Sequence, residues 1–337
     1  MDSLQFVPIL LFGFATSLGL TPVSRQVAMR LGVVDKPNTR KIHEDHKPLM
    51  GGLAIFASLA LALLLFSPAH YMSQIVAILL GAALLATVGL LDDYYNLGIR
   101  TRLVAMACAA VVLVLGGIHI NMFNTPWLDY PLTIFWVVAV TNAVNFLDNM
   151  DGLAAGLSAI AAGFFLLIGL SQGLPMVSAL AAALLGSAVG FLTYNYNPAS
   201  TFMGDMGALT LGFVLATLGI VLEFGATPPG LSWIIPVFVL ALPVFDINLV
   251  VFTRLAEGRS PGEAGKDHTS HRLLSLGLNQ RWTLFVLYSG CALYGTLALL
   301  MGAVPQATAW AIGIGGLALL ALLYVLMFWI RYKYQRG

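Results

Sequence analysis

Long apolar stretches recur along almost the whole of this 337-residue chain. A helix needs roughly 20 mostly apolar residues to cross the hydrocarbon core of a bilayer. Only 9% of the residues are charged, against about 25% in an average soluble domain. The sequence therefore predicts an all-α, polytopic integral membrane protein in which residues 1–337 form one domain. About eleven transmembrane helices are expected, at 4–22, 51–67, 73–91, 103–120, 131–147, 153–171, 174–192, 207–224, 232–253, 283–302 and 308–330.

Positive charge lies on one side only of this predicted topology. With eleven spans, the connecting segments alternate between the two faces, and all 16 Lys and Arg residues fall on the same face. Because basic residues concentrate on the cytoplasmic side, the N-terminus is predicted outside and the C-terminus inside. A net charge of +1 gives no indication of nucleic-acid binding. The predicted cytoplasmic segments are 24–50, 92–102, 146–152, 193–206, 254–282 and the C-terminal tail.

Two adjacent aspartates end the third span. Asp92 and Asp93 lie in GLLDDYYNLGIRTR, on the predicted cytoplasmic face. Two neighbouring carboxylates repel each other unless a cation or a shared proton intervenes. They are either the acids of a solvated loop or part of a site.

A second polar stretch, NAVNFLDNMDG, ends the fifth span. Asn142, Asn145 and Asp148 follow one another at intervals of one helical turn, and Asp151 lies three residues further on. A capped polar helix terminus is one interpretation. Four amide or acid groups on one face exceed what a cap requires, which favours a site.

A third stretch, YNYNPASTFMGDMGALTLG, precedes the eighth span. Gly204 and Gly207 bracket Asp205, and glycines allow a ligand to approach the backbone closely. A helix N-terminus attracts anions, and an aspartate beside a hard cation would help to bind one. The alternative is a loop whose Asp205 caps the helix.

The fourth stretch is the D-H-x-x-H-R pattern formed by Asp267, His268, His271 and Arg272. On a helix the last three would share one cationic face, which suits phosphate oxygens. Structural histidines and a zinc site are the alternatives, and the neighbouring Arg and absence of Cys make zinc the weaker one. Asp246 interrupts an apolar span, so it is expected to face the protein interior or a cleft.

The basic segment before the second span, which includes Lys47, suits contact with a diphosphate or an anionic headgroup, or simply follows the positive-inside rule. Carboxylates, a Gly-Asp-x-Gly turn and cationic groups on one face are the equipment of metal-assisted phosphoryl transfer. An ion-coupled transporter is the alternative from another class, but transporter sites lie near the midplane between repeats. An inert scaffold would leave the clustering of the acids without a reason.

The ordered motifs resemble those of the polyprenyl-phosphate N-acetylhexosamine-1-phosphate transferases, which form glycosyltransferase family 4. The resemblance covers nearly the whole chain. It is carried by L-D-D at 91–93, N-A-V-N-F-L-D-N-M-D-G-L at 142–153, N-x-x-P-A-x-x-F-M-G-D-x-G at 195–207 and D-H-x-x-H-R at 267–272.

The resemblance implies a multi-pass enzyme of a bacterial-type cytoplasmic membrane, with its active site in a cleft on the cytoplasmic face. The implied reaction transfers a sugar-1-phosphate from a UDP-N-acetylhexosamine to undecaprenyl or another polyprenyl phosphate and releases UMP. The implied cofactor is Mg²⁺, with Mn²⁺ as an alternative, held by Asp205 and Asp92. The implied catalytic residues are Asp92, Asp93, Asp148 and Asp151. The implied substrate-binding residues are Lys47, Asn142, Asn145, Asn195, Asp246, Asp267, His268, His271 and Arg272.

The last loop lacks a run of three histidines, so the chain resembles the WecA-type branch, which uses UDP-GlcNAc. The MraY-type branch, which transfers phospho-MurNAc-pentapeptide, is the alternative. The expected partners are the UDP-sugar, the polyprenyl phosphate and the lipid bilayer, with no nucleic acid. The product would begin a cell-envelope polysaccharide such as a wall polymer or lipopolysaccharide. A homodimer is one alternative for the oligomeric state.

Overall fold

A computed structural model describes residues 3–35, 47–222, 229–263 and 265–335 of the chain. The chain divides into two compact units, Met1–Leu222 and Glu223–Gly337. Helices dominate both, as the apolar stretches predict. The prediction of a single domain over residues 1–337 stays a prediction.

In its described residues, 3–35 and 47–222, the first unit contains eight α-helices, two short 3-10 helices and one very short strand pair. The pair is antiparallel, with Val34 opposite Pro48 and Asp35 opposite Lys47. No strand was expected from the sequence, because two residues are too few to give a pattern. Most of the predicted segment 24–50 between these strands lies outside the described residues. The elements are α1 (Val7–Leu31), β1 (Val34–Asp35), β2 (Lys47–Pro48), α2 (Gly51–Phe66), α3 (Met72–Tyr95), α4 (Ile99–Leu115), α5 (Pro126–Leu147), α6 (Leu153–Gln172), α7 (Pro175–Asn195) and α8 (Gly204–Val221).

Helix α8 forms the centre of the first unit. It packs against α2, α3 and α5, and almost all of its side chains are buried. Small residues make these close packings possible, because a Cβ on Gly89 of α3 would collide with the backbone of Met206, and one on Gly212 with that of Thr141. The ends of α3, α5 and α8 that carry the acidic motifs therefore lie side by side.

The second unit contains α9 (Pro229–Val239), α10 (Ala241–Ala256), α11 (Thr269–Ser275), α12 (Gln280–Met301) and α13 (Gln306–Tyr334). The chain bends by 81° between α9 and α10, where a single straight span over 232–253 was predicted. Pro236 lies inside α9, and Pro243 lies in the first turn of α10. A proline offers no backbone N–H, which weakens the helix at this point.

Each of the eleven apolar stretches corresponds to a helix or, in one case, to the bent pair. Among the described residues, eight helices are long and apolar enough to cross a membrane, or nine if the bent pair forms one span. Helix α2 is apolar but has only 16 residues, and α4 has 17. The protein is therefore a polytopic, all-α membrane protein, whereas the count of eleven and the orientation stay predictions.

Candidate active site

Helices α3 and α8 are joined through Asp93. Its Oδ1 accepts a hydrogen bond from the backbone N–H of Asp205 at 2.9 Å, and its Oδ2 accepts one from Met206 at 3.4 Å. These are N–H groups of the first turn of α8, which lack a partner inside their own helix. Asp93 thus caps α8 from a neighbouring helix. Two features explain the glycine before Asp205. Gly204 has a left-handed backbone (φ +66°), and a side chain at this position would collide with the Asp93 carboxylate.

Arg102, in the first turn of α4, links the two aspartates predicted to bind metal. Its Nη1 lies 3.0 Å from Oδ2 of Asp92 and 3.0 Å from Oδ2 of Asp205. Asn145 of α5 fixes the other oxygen of Asp205, to which its Nδ2 donates at 2.7 Å. Side chains of α4 and α5 therefore orient the Asp205 carboxylate, whose side chain keeps 25% of its surface exposed.

The carboxylates here outnumber their positive partner. We call Asp92, Asp93, Asp148, Asp151 and Asp205 the acid cluster. Oδ1 of Asp92 is buried and has no hydrogen-bond partner in the described part of the chain. As the side chains stand, the described residues contain no group of three or more His, Cys, Asp or Glu side chains that could hold a metal ion. One guanidinium supplies the positive charge that Asp92 and Asp205 share.

Asp148 follows the last residue of α5 and interacts electrostatically with three other members of the acid cluster, Asp205, Asp151 and Asp93. Burial, together with the nearby carboxylates of Asp205 and Asp151, raises the pKa of Asp148 to about 7. The pKa is raised because each of these effects disfavours the charged form of Asp148. The structure thus brings Asp92, Asp93, Asp148, Asp151 and Asp205 together from separate motifs, whereas their catalytic and metal-binding roles stay predictions.

Asp151 and Asn195 hold two loops together. Oδ2 of Asp151 accepts hydrogen bonds from the backbone N–H of Ala199 at 2.9 Å and from Nδ2 of Asn197 at 3.3 Å. Oδ1 of Asn195 accepts from the N–H of Gly152 at 3.1 Å, and its Nδ2 donates to the carbonyl of Thr201 at 3.0 Å. These hydrogen bonds join the loop after α5 to the loop before α8. These contacts favour a positioning role, and direct roles in catalysis or substrate binding stay predictions.

The segment around Lys47 supports the same loop. The carbonyl of Pro48 accepts from the backbone N–H of Phe202 at 2.8 Å and from Oγ1 of Thr201 at 3.0 Å. Lys47 is thus the neighbour in sequence of Pro48, which contacts the loop before Asp205. Asn142 lies one turn before Asn145 on α5 and is partly exposed. Their predicted contacts with substrate stay predictions.

In the second unit, Asp246 of α10 contacts the start of α11. Its Oδ2 lies 2.7 Å from Nδ1 of His268, and its Oδ1 accepts from the backbone N–H of Thr269 at 2.6 Å. The side chain of Asp246 is 1% exposed, and that of His268 is 9% exposed. Asp246 therefore faces the protein interior, as its position in an apolar span predicted.

Asp267 belongs to a different set of contacts, which we call the arginine network: Asp267, Glu257, Arg254, Arg259 and Arg331. Asp267 accepts from Arg254 at 2.9 Å and from Arg259 at 2.8 Å, and Arg331 lies 3.2 Å away. Glu257 is paired with Arg259 at 2.6 Å and with Arg331 at 3.0 Å. The network connects the end of α10, the following loop and α13.

The arginine network strongly favours the charged forms of its two acids. Burial alone would raise the pKa of Asp267, but hydrogen bonds from Arg259 and Arg254 outweigh it and hold that pKa at about 2. Hydrogen bonds from Arg331 and Arg259 lower the pKa of Glu257 to about 2 against a smaller opposing effect of burial. The carboxylate oxygens of Asp267 are thus occupied by arginine side chains of the protein itself.

The three residues predicted to share a cationic face differ in their surroundings. Arg272 is fully buried, and it donates to the carbonyls of Asp267 and Met327 and to Oγ1 of Thr253. Burial lowers the pKa of His271 to about 4, with His268 contributing, so His271 is neutral at physiological pH. These surroundings favour a structural role for Arg272, and its substrate contact stays a prediction.

Arg102 is the main site residue that sequence reasoning missed. It was counted among the basic residues of segment 92–102 but was not assigned to the site. Its position ten residues after Asp92, at the start of the next helix, was the available signal. Arg254, Arg259, Arg331 and Glu257 were also missed. Their pairing with Asp267 depends on contacts between distant segments, which no local pattern reveals.

Comparison with known proteins gives a consistent result. Residues 75–223, which contain the whole acid cluster, match the model of glycosyl transferase family 4. A probable undecaprenyl-phosphate N-acetylglucosaminyl 1-phosphate transferase of Bacillus subtilis (strain 168) is 33% identical over 316 residues, covering 91% of this chain and 87% of the relative.

Two further relatives carry similar names. An undecaprenyl-phosphate α-N-acetylglucosaminyl 1-phosphate transferase of Yersinia pestis is 26% identical over 89% of this chain and 85% of its own length. A decaprenyl-phosphate N-acetylglucosaminephosphotransferase of Mycobacterium tuberculosis (strain ATCC 25618 / H37Rv) is 32% identical over 78% of this chain and 74% of its own length. With its motifs, its helical architecture and these relatives, the chain belongs to glycosyl transferase family 4.

Proposed function

We propose that this protein transfers N-acetylglucosamine-1-phosphate from UDP-GlcNAc to undecaprenyl phosphate or another polyprenyl phosphate and releases UMP. The product would be a polyprenyl-diphosphate-linked GlcNAc, the first membrane intermediate of a cell-envelope glycan. The observation that carries this proposal is the acid cluster, in which carboxylates of α3, of α8 and of the segment after α5 gather, with Arg102 and Asn145 bound to Asp205. The names of the relatives supply the sugar and the class of acceptor.

We place the enzyme in a cytoplasmic membrane with the acid cluster on the cytoplasmic face. The distribution of the 16 Lys and Arg residues supports this orientation, because every one falls on one side of an eleven-span topology. A lipid-linked acceptor would then approach within the membrane, and a soluble nucleotide sugar would approach from the cytosol.

The acceptor needs little activation. A phosphate monoester has a second pKa near 6, so the polyprenyl phosphate is largely a dianion at pH 7. Its oxygen would attack the β-phosphorus of the nucleotide directly, and UMP would leave. If a base acts, Asp92 or Asp93 is the candidate: Oδ2 of Asp92 is paired with Arg102, and both oxygens of Asp93 accept backbone N–H groups of α8.

Two anionic reactants must meet, so positive charge is the main requirement. Asp92 and Asp205 fit a divalent cation by their chemistry: they offer carboxylate oxygens, which hard cations prefer, and the buried Oδ1 of Asp92 has no partner among the described residues. These two residues would hold Mg²⁺, with Mn²⁺ as an alternative. The ion would screen the repulsion between the two phosphates and stabilise charge in the transition state.

The remaining residues orient this arrangement. Asn145 and Arg102 fix the Asp205 carboxylate, and Asp93 fixes the helix that carries it. Arg102 also brings a permanent positive charge to the cluster, at a position where a diphosphate would be expected. Asp151 and Asn195 hold the flanking loops in place.

The test is a release assay with purified protein in lipid nanodiscs. UDP-GlcNAc, undecaprenyl phosphate and Mg²⁺ are supplied, and UMP and the lipid product are measured. UMP release that requires all three would support the proposal. UDP-GalNAc and UDP-MurNAc-pentapeptide serve as competing donors, and a preference for the pentapeptide would move the protein to the MraY-type branch.

Two variants sharpen this assay. Asp205→Asn should reduce UMP release by at least about 10³-fold, because it removes a charge that the cation and Arg102 both require. Glu263→Gln is the matched control, since it removes one exposed acid from the loop between α10 and α11. Normal turnover by Asp205→Asn would refute the assignment of Asp205.

A further inference from the structure

The contact between Asp246 and His268 joins two buried polar side chains from separate helices. The Oδ2–Nδ1 distance is 2.7 Å, and the two residues are 22 positions apart in sequence. Burying such a pair is costly unless both partners are satisfied, so its presence needs an explanation. The expectation from the sequence was that Asp246 and His268 each contact substrate.

Asp246 is poorly placed to contact a substrate itself. Both of its oxygens accept hydrogen bonds from the protein, Oδ1 from the N–H of Thr269 and Oδ2 from His268. The residue has 0% relative exposure. Any effect that it has on the reaction must therefore pass through its partners.

The two hydrogen bonds that Asp246 accepts both restrain His268, one through the backbone and one through the ring. His268 precedes α11, and Thr269 is the first residue of that helix. The bond to the N–H of Thr269 fixes the backbone next to His268, while the bond to Nδ1 fixes the plane of the ring. A carboxylate can only accept, so the hydrogen shared with Oδ2 belongs to Nδ1.

We propose that Asp246 is a positioning residue that keeps the proton of His268 on Nδ1, so that His268 can serve the reaction only through Nε2. The proposal rests on the function proposed above, because that function gives His268 a substrate to act on. In the neutral ring, Nε2 then accepts a proton or hydrogen bond. In the charged ring, Nε2 donates to an anion such as a phosphate oxygen.

Other ionisable groups act on this pair in the described part of the second unit. His271 lies beside His268 with ring centroids 5.8 Å apart, and Arg272 and Tyr324 also interact electrostatically with Asp246. Burial keeps His271 neutral at physiological pH, as described above. Asp246 is therefore the acid in direct contact with the His268 ring.

The first experiment replaces Asp246 by asparagine. The Asn Oδ1 can still accept from Thr269, which preserves the start of α11, while the Asn amide group donates to Nδ1 and moves the ring proton to Nε2. We expect kcat for UMP release to fall by about 10²-fold, with KM for UDP-GlcNAc changed less than about threefold. Asp129→Asn is the matched control, because Asp129 is another buried aspartate that accepts three backbone N–H groups. It should keep full activity at a temperature where the variant is folded.

A double-mutant cycle separates positioning from direct substrate contact. If Asp246 acts through His268, the variant carrying both Asp246→Asn and His268→Gln should be no less active than His268→Gln alone. Losses that multiply would overturn the positioning role. A wild-type enzyme that releases no UMP would instead overturn the proposed function and, with it, the use of His268 in that reaction.

A spectroscopic readout does not depend on turnover. In protein labelled with ¹⁵N-histidine, the signal of His268, assigned by its loss in His268→Gln, should report a protonated Nδ1 throughout a pH titration. Only Nε2 should change. In Asp246→Asn the neutral ring should carry its proton on Nε2. An unprotonated Nδ1 in the wild type would overturn the proposal even in a fully active enzyme.

Discussion

The acid cluster of the first unit and the arginine network of the second unit contain the same kinds of side chain but balance them differently. In the arginine network, three arginines surround two acids, and the pKa values of Asp267 and Glu257 fall to about 2. In the acid cluster, Arg102 serves both Asp92 and Asp205, and burial raises the pKa of Asp148 to about 7.

This difference separates a structural from a functional use of charge. Acids that are fully paired within the protein hold segments together and have little left to offer a ligand. Acids that lack positive partners are costly to the fold and favour the binding of a cation. The positions of the arginines, which no motif indicated, distinguish the two clusters.

The largest effect is expected within the acid cluster, where Asp92 and Asp93 are neighbours with different tasks. Asp92→Asn should lower UMP release by about 10³-fold, because it removes a carboxylate from the proposed cation site. Asp93→Asn should lower it by only about tenfold. An asparagine oxygen can still accept the N–H of Asp205, so only the longer bond from Met206 and the favourable charge at the helix start are lost. Initial rates at saturating Mg²⁺ would compare the two. Equal losses would contradict the division of tasks.

Asp267→Ala should lower the stability of the fold and leave the rate of UMP release nearly unchanged. Removing one partner from a buried ionic group typically costs about 3–5 kcal/mol, because the remaining charges are left uncompensated. Thermal unfolding in detergent, followed by circular dichroism, measures this loss. UMP release per folded molecule at low temperature should remain within about threefold of the wild type. A stable protein with greatly reduced turnover would assign Asp267 to the substrate, as the sequence predicted.

Lowering the pH is expected to have a smaller effect, on the stability of the fold. The pKa values of Asp267 and Glu257 lie near 2 in the folded protein, below the ordinary values of 3.8 and 4.5. Their ionised forms therefore stabilise the fold above about pH 4, and this stabilisation is lost as the pH falls towards 2. The unfolding temperature should fall over that range, and it should fall less steeply in Glu257→Gln. Identical slopes in the two proteins would exclude Glu257 as a source of the effect.

Much of the fold could be predicted from the sequence, because membrane helices are defined by local properties. An apolar stretch of the right length is sufficient to place a helix, and all eleven stretches coincide with helical segments. The bend between α9 and α10 was not predicted, since the prolines at 236 and 243 lie within an otherwise continuous apolar run.

The candidate site was predictable in its composition but not in its contacts. The acids that gather in the first unit were all identified from their motifs. Three contacts join residues that are 48 to 113 positions apart: the capping of α8 by Asp93, the link from Arg102 to Asp205 and the bond between Asp151 and Ala199. The link from Arg102 to Asp92 spans only ten positions. Such contacts depend on how helices pack, and a motif read along the chain carries no information about them.

The most direct test of the account is the binding of Mn²⁺, which can replace Mg²⁺ and is visible by electron paramagnetic resonance. Titration of the purified protein in nanodiscs should give one tight site that is lost in Asp205→Asn and weakened in Asp92→Asn. The same site should be retained in Glu257→Gln, in which one acid of the arginine network is neutralised. Unchanged Mn²⁺ binding in Asp205→Asn, or its loss in Glu257→Gln, would contradict the claim that the underpaired acids are the ones that take the cation.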